Sequence, residues 1–303
     1  MKKYLSFVSV VLAAVFWGCM PLFANALTEL GFQPVQKTAI RMTVGAITFL
    51  LFLLVRSPAV LRVRVRDLPL LFVMGAFSTF AMSALYFLAI EKTSSAVAAV
   101  LLYTSPIFIL LASVALFHEK LNFKKVLSLI LVVGGCVFVS GIFNGGAGGF
   151  HLGGSIAGIL SGICYASYSI FGTFALRRYS SATVTVYSFL FAAATAWLFA
   201  DIPSFALTVS SLPNVGWAVL VMIGLGVVTA TLPFSLYTYG LSYMEAGRAG
   251  ILACIEPMTA TLISVLILRE PCSLLQWLGI VMILSAVILL QVSSKHTKEK
   301  SNI

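Results

Sequence analysis

Two ionisable residues stand far from the charged loops of this sequence. Glu256 lies in "CIEPMTATLISVL" (254–266), and Arg41 lies in "QKTAIRMTVGAITFLLFLLV" (36–55). A charge in apolar surroundings is costly unless it is paired or used, so each is a candidate for function. A carboxylate there can hold an ammonium group or exchange it for a proton. A guanidinium can hold a carboxylate, or satisfy backbone carbonyls as a purely structural element. Six aromatic residues can surround them: Trp17, Tyr86, Tyr103, Tyr165, Tyr168 and Tyr237. Several aromatic faces around one carboxylate make a cage for an organic cation, although each ring can equally serve packing.

Prolines form the third group. Within a helix Pro106 cannot donate to the carbonyl of Leu102, nor Pro257 to that of Ala253; Pro21 and Pro233 leave Trp17 and Thr229 in the same position. Such carbonyls can bind a ligand where they face a wet cavity, and the alternative is that the prolines only kink helices for packing.

Other chemistry lacks its parts. The histidines are His118, His151 and His296, and the aspartates are Asp67 and Asp201, all at the ends of apolar segments or in loops. No H-E-x-x-H, G-x-S-x-G or phosphate-binding G-x-x-x-x-G-K-[ST] occurs. Cys19, Cys136, Cys164, Cys254 and Cys272 contain no C-x-x-C pair and are odd in number, so neither a disulfide framework nor a zinc site is indicated. The expectation is no enzyme, no catalytic residue, no metal and no cofactor.

The elements that must position these residues follow from composition. The 303 residues are 60% hydrophobic and 9% charged, against about 25% charged in soluble domains. The solvent for most of the chain is therefore lipid. Apolar runs long enough to cross ~30 Å of hydrocarbon occur at 5–27, 34–55, 68–90, 94–117, 123–143, 152–175, 182–200, 216–240, 247–268 and 274–292. The expected fold is an all-α integral membrane protein of ten transmembrane helices. With the N-terminus inside, 15 of the 19 Lys and Arg residues fall on one face, which places both termini in the cytoplasm and the chain in the cell membrane. The charge of +10 then reflects topology rather than nucleic-acid binding. The start of the chain imitates a signal peptide, but its apolar run is too long for one, so retention is expected.

The sequence repeats. "YTSPIFILLASVALFHEKL" (103–121) returns as "CIEPMTATLISVLILREPC" (254–272), and the offset of 151 residues also pairs Gly75 with Gly226, Tyr86 with Tyr237, and Leu127 with Leu278. Glu256 has the neutral Ser105 as its counterpart, so a merely structural need for charge would be unusually one-sided. Five spans per repeat is odd, which turns the second copy upside down in the membrane. The reading is a five-span repeat at 1–143, a glycine-rich linker at 144–151, an inverted five-span repeat at 152–292 and a basic cytoplasmic tail at 293–303. Gly154, Gly158, Gly162 and Ala166 form a ridge of small residues suited to close helix packing.

"FWG" (16–18), the two proline-to-glutamate segments and "QWLGIVMILSAVILL" (276–290) resemble both halves of EamA-type transporters, the ten-span branch of the drug/metabolite transporter superfamily. The resemblance implies a central cavity lined by spans 1, 3, 4, 6, 8 and 9. It also implies transport of a small molecule, export of amino acids or their relatives being the commonest role. The expectation is a secondary transporter for a small polar, amine-bearing metabolite, working by alternating access with protons as a candidate coupling ion. The alternatives are an importer of a nutrient such as a quaternary amine, nucleobase or vitamin, or a channel-like facilitator. The expected partners are substrate and lipid bilayer, without nucleic acid, in a monomer or loose homodimer.

Overall fold

The structure, a computed structural model, describes residues 2–144, 151–267, 269 and 271–299. Most of the linker read at 144–151 lies outside them, as does Glu270. The described residues form helices and no strands. In chain order the helices are α1 (Lys2–Gly18), α2 (Met20–Glu29), α3 (Pro34–Arg56), α4 (Leu68–Gly75), α5 (Met82–Lys92), α6 (Ser95–Leu102), α7 (Ser105–Phe117), α8 (Phe123–Val139), α9 (Leu152–Ala175), α10 (Ser181–Phe199), α11 (Ile202–Ser210), α12 (Val215–Gly226), α13 (Leu232–Leu241), α14 (Ala246–Ala253), α15 (Ile255–Leu266) and α16 (Leu274–Glu299).

Among the described residues eight helical stretches are long and apolar enough to cross a membrane: Tyr4–Glu29, Pro34–Arg56, Val65–Lys92, Ser95–Phe117, Leu152–Ala175, Ser181–Phe199, Val215–Leu241 and Ala246–Leu266. The two further spans expected from sequence correspond to α8, 17 residues long, and to the shorter apolar stretch Leu274–Leu290. These two pack along each other. The segment after 293, expected as a tail, continues α16 as far as Glu299.

Several long stretches are interrupted, and the interruptions answer the proline problem. The helix from Ser95 stops at Tyr103–Thr104, where the Thr104 hydroxyl donates to the Leu101 carbonyl at 2.6 Å. Pro106 is then the second residue of the new helix α7, where a missing N–H costs nothing. The same break recurs at Cys254, between α14 and α15. α4 and α5 are joined by a π-helical turn, Ala76–Ala81, and α12 and α13 by another, Val227–Thr231.

These features fall 151 residues apart, as the sequence repeat does. The π turns begin at Ala76 and Val227, α8 and α16 begin at Phe123 and Leu274, and left-handed backbone occurs at His118 (φ 53°) and Arg269 (φ 57°). Gly75 and Gly226 precede the two π turns because another helix crosses there: a Cβ on Gly75 would lie 2.5 Å from the Ser188 carbonyl oxygen, and one on Gly226 would overlap Val44. Packing between the halves is reciprocal. α1 lies against α13, α14 and α15, while α9 lies against α5, α6 and α7; α3 meets α12, while α10 meets α4. The ridge on α9 serves these contacts, with Gly154 against Lys92 and Thr93, and Gly158 against Leu101.

One element went unread in the sequence. Residues 201–215 were expected to be a loop, yet α11 forms there, capped by the Asp201 side chain, which accepts from the Ser204 N–H at 3.1 Å, with Pro203 in its first turn. An N-cap aspartate followed by proline is the signal that identifies it.

Candidate functional site

A cavity of about 800 Å³ extends from the middle of the bundle to one of its ends. Trp17, Arg41, Tyr86, Tyr103, Tyr165, Tyr168, Tyr237 and Glu256 all line it. Of the helix-break residues, Pro257 and Leu102 also line it. Pro106 and Ala253 do not: both are buried in packing. The Leu102 carbonyl has a different neighbour from the one expected, since a Cβ on Gly162 would sit 3.2 Å from that oxygen and 3.0 Å from the Leu101 oxygen. The Leu102 carbonyl that Pro106 frees therefore lies against α9, where a glycine admits it.

Glu256 owes its place to the helix break. It lies in the first turn of α15, where unpaired backbone N–H groups present positive potential to a carboxylate. Its Oε2 accepts a hydrogen bond from the Tyr165 hydroxyl at 3.3 Å. The carboxylate is thus held by one phenol and a helix terminus, and no ion pair engages it among the described residues.

Arg41 takes up the carbonyl that Pro233 releases. Its Nε donates to the Thr229 oxygen at 3.2 Å and its second terminal nitrogen donates to the same oxygen. The guanidinium carbon also lies 5.8 Å from the centre of the Phe234 ring. Arg41 therefore secures the second π turn while still lining the cavity.

The aromatic residues form a wall. Tyr237 hydrogen-bonds with Ser169 at 2.7 Å, and Tyr168 with Thr238 at 3.1 Å. The rings of Trp17 and Tyr237 are 5.2 Å apart. Tyr86 and Tyr103 also face the cavity, and among the described residues neither hydroxyl has a hydrogen-bond partner.

Among the lining residues that sequence reasoning missed, Phe234 and Lys37 matter most to the chemistry of the site. Phe234 is the hub of the wall, with its ring 5.1 Å from Trp17 and 5.2 Å from both Tyr168 and Phe189; its position after Pro233 was the available signal. Lys37, one helical turn from Arg41, lines the cavity near its end and donates to the Thr28 hydroxyl at 2.6 Å. Its spacing of four from Arg41 puts both cations on one face of α3.

The opposite end of the bundle is packed shut. Gly247 and Gly250 of α14 lie against Leu110 and Ile109 of α7, and Gly240 of α13 lies against Val10 of α1. Glu119 accepts from the Ala246 N–H at 2.9 Å, and Lys125 lies 3.4 Å from Glu119 and 2.8 Å from Glu245. This closed end joins α7 and α8 to the start of α14.

The chain is similar over most of its length to proteins named as transporters. It is 31% identical over 281 residues to an uncharacterized transporter of Archaeoglobus fulgidus, covering 93% of this chain and 94% of that one. It is 26% identical to the uncharacterized inner membrane transporter YicL of Salmonella typhimurium, with 95% of each covered. A crystal structure 22% identical to it superposes with a TM-score of 0.78 over 96% of this chain and 98% of its own, a likeness of fold. Residues 5–141 and 152–292 each match the EamA-like transporter family, the same two halves that carry the recurring breaks and reciprocal packing, and the chain belongs to that family.

Proposed function

We propose that this membrane transporter moves a small metabolite bearing an amino group, such as an amino acid or a relative, by alternating access of two inverted five-helix halves. The observation that carries the reading is Glu256, a carboxylate at a broken-helix N-terminus, in a cavity walled by aromatic side chains. Its complement is an ammonium group, with the aromatic faces adding cation–π attraction. Lys37 and Arg41 line the same cavity, which favours a cargo carrying an anionic group as well over a simple quaternary amine.

The reciprocal packing and the 151-residue register support two halves related by inversion. Counting α8 and α16 as spans gives ten, five to each half. The distribution of Lys and Arg supports a sealed end on the cytoplasmic side with both termini, and hence a cavity that faces outward in this conformation. Export is the direction we assign. A proton and an ammonium group competing for Glu256 would couple export to proton entry.

A thermal-shift panel of amino acids, quaternary amines, nucleobases and sugars against the purified protein tests the cargo class. A ligand stabilises by RT ln(1 + [L]/Kd), so weak cargo at high concentration registers. Stabilisation by amino acids is expected, and by sugars alone would overturn the reading. In proteoliposomes, cargo on the far side should accelerate uptake; a channel gives no such acceleration. Cysteines introduced at Thr208 should react with an impermeant reagent from outside and those at Arg178 should not; the reverse would invert the orientation.

A further inference from the structure

A second pocket lies at the sealed end, away from the cavity. Arg64, Arg66, Asp67, Arg178 and Tyr179 line it. The pocket is organised by its one carboxylate: Asp67 accepts from Arg178 at 2.7 Å on one oxygen and from the Tyr179 hydroxyl at 2.6 Å on the other. Tyr179 in turn accepts from the Arg64 backbone N–H at 3.2 Å. Both carboxylate oxygens are thereby engaged, one by Arg178 and the other by Tyr179. Three guanidinium groups and one carboxylate leave a charge of +2, and the Arg64 and Arg66 side chains have no ion-pair partner among the described residues.

Such a site is matched to an anion. Guanidinium groups converging on one space match the oxygens of a phosphate, to which each can donate two parallel hydrogen bonds. The surroundings select the kind of phosphate. The pocket sits where α3 has just ended and α4 begins, at the boundary of two membrane-length helices. Val65, between the two free arginines, is 80% exposed. An apolar side chain standing out between arginines at a membrane boundary suits an acyl chain beside a headgroup, and basic pockets between membrane helices hold anionic lipids.

We propose that this pocket binds the phosphate of an anionic phospholipid headgroup. Its walls come from both halves, the segment before α4 and the turn after α9, so an occupying lipid ties the halves together at the sealed end.

The test titrates phosphatidylglycerol, with phosphatidylcholine as the neutral counterpart, into purified full-length protein in neutral detergent, read by native mass spectrometry. Phosphatidylglycerol should bind, and R64Q/R66Q should weaken it about tenfold. R64K/R66K, which keeps the charge but not the paired donors, should weaken it less than R64Q/R66Q but measurably. Lys124→Gln, an alteration of the same sign outside the pocket, should leave binding unchanged. Equal binding by wild type and R64Q/R66Q would overturn the proposal, and so would an equal loss in Lys124→Gln, which would indicate general surface charge. Inorganic phosphate competing as well as the lipid would overturn the lipid assignment. Thermal unfolding of each variant without lipid identifies folding defects; were R64Q/R66Q unstable, R64K/R66K would carry the comparison alone.

Discussion

The face of α7 that carries Pro106, Ile109, Leu110 and Ser113 stands 151 residues before the face of α15 that carries Pro257, Ala260, Thr261 and Ser264, and the two meet opposite surroundings. The α15 face lines the cavity. The α7 face is buried against α14, and the Ser113 hydroxyl is left there without a hydrogen-bond partner. A buried unpartnered hydroxyl costs about 1–3 kcal/mol, an odd expense for a resting structure. Under the proposed alternation the two faces exchange roles, so that Ser113 would line the cavity when it opens the other way, as Ser264 lines it here.

The halves share their scaffold and differ in their chemistry. Breaks, π turns and close crossings occur in both. The charges do not: Glu256 faces Ser105 in the repeat, Lys125 faces Gln276, and α10 has no charged residue to match Arg41 of α3. In the mechanism we propose, the shared geometry would serve a two-sided motion, while Glu256, the one carboxylate among the described lining residues, would give the cavity one binding polarity.

Glu256→Gln should break this comparison most severely. It keeps the shape but removes the charge, and a charged hydrogen bond of about 1.5–3 kcal/mol corresponds to a loss of about ten- to a hundredfold in amine-cargo transport, with normal membrane insertion. Proteoliposome uptake measures it, and a proton gradient should no longer drive cargo through the variant. Wild-type transport in Glu256→Gln would return the residue to structure. Moving the carboxylate, in Glu256→Ser with Ser105→Glu, should not rescue transport, since Ser105 is only 2% exposed.

The shared scaffold is tested at the glycine pair. Gly75→Ala and Gly226→Ala should each lower stability by about 1–3 kcal/mol, because the new Cβ overlaps backbone in one case and Val44 in the other. Thermal unfolding in detergent gives the value; tolerance at one site and not the other would end the claim of a common crossing.

Access distinguishes the two serines. A cysteine at Ser264 should react rapidly with a small polar thiol reagent, whereas one at Ser113 should react only while the protein is cycling with cargo. Equal rates at the two positions without cargo would contradict the exchange of faces.

The smallest effects concern the tyrosine pair. Tyr237→Phe loses the bond to Ser169 and should cost about 1 kcal/mol of stability. Tyr86→Phe removes a hydroxyl with no partner among the described residues, so its stability should hold while cargo affinity falls a few-fold. A stability loss at Tyr86 equal to that at Tyr237 would place both in the packing alone.

Much of this was legible in the chain. Sixty per cent hydrophobic residues demand lipid, and in lipid every backbone polar group must be satisfied within helices, so the helical class and the approximate ends of its segments are local properties of the sequence. The repeat is also local, because the same breaks need the same residues at Pro106 and Pro257, or at Gly75 and Gly226. Charges and clustered aromatics were conspicuous against that background, which is why Glu256, Arg41 and the tyrosines could be singled out. What only the tertiary structure decided is facing. Rotation of each helix about its axis is set by contacts with distant neighbours, and a few tens of degrees carry a side chain from cavity to packing. That rotation keeps Pro106 within the packing while setting Pro257 on the cavity wall, turns the Leu102 carbonyl toward Gly162, gives the Thr229 carbonyl to Arg41, and makes Phe234, one of 23 phenylalanines, the hub of that wall.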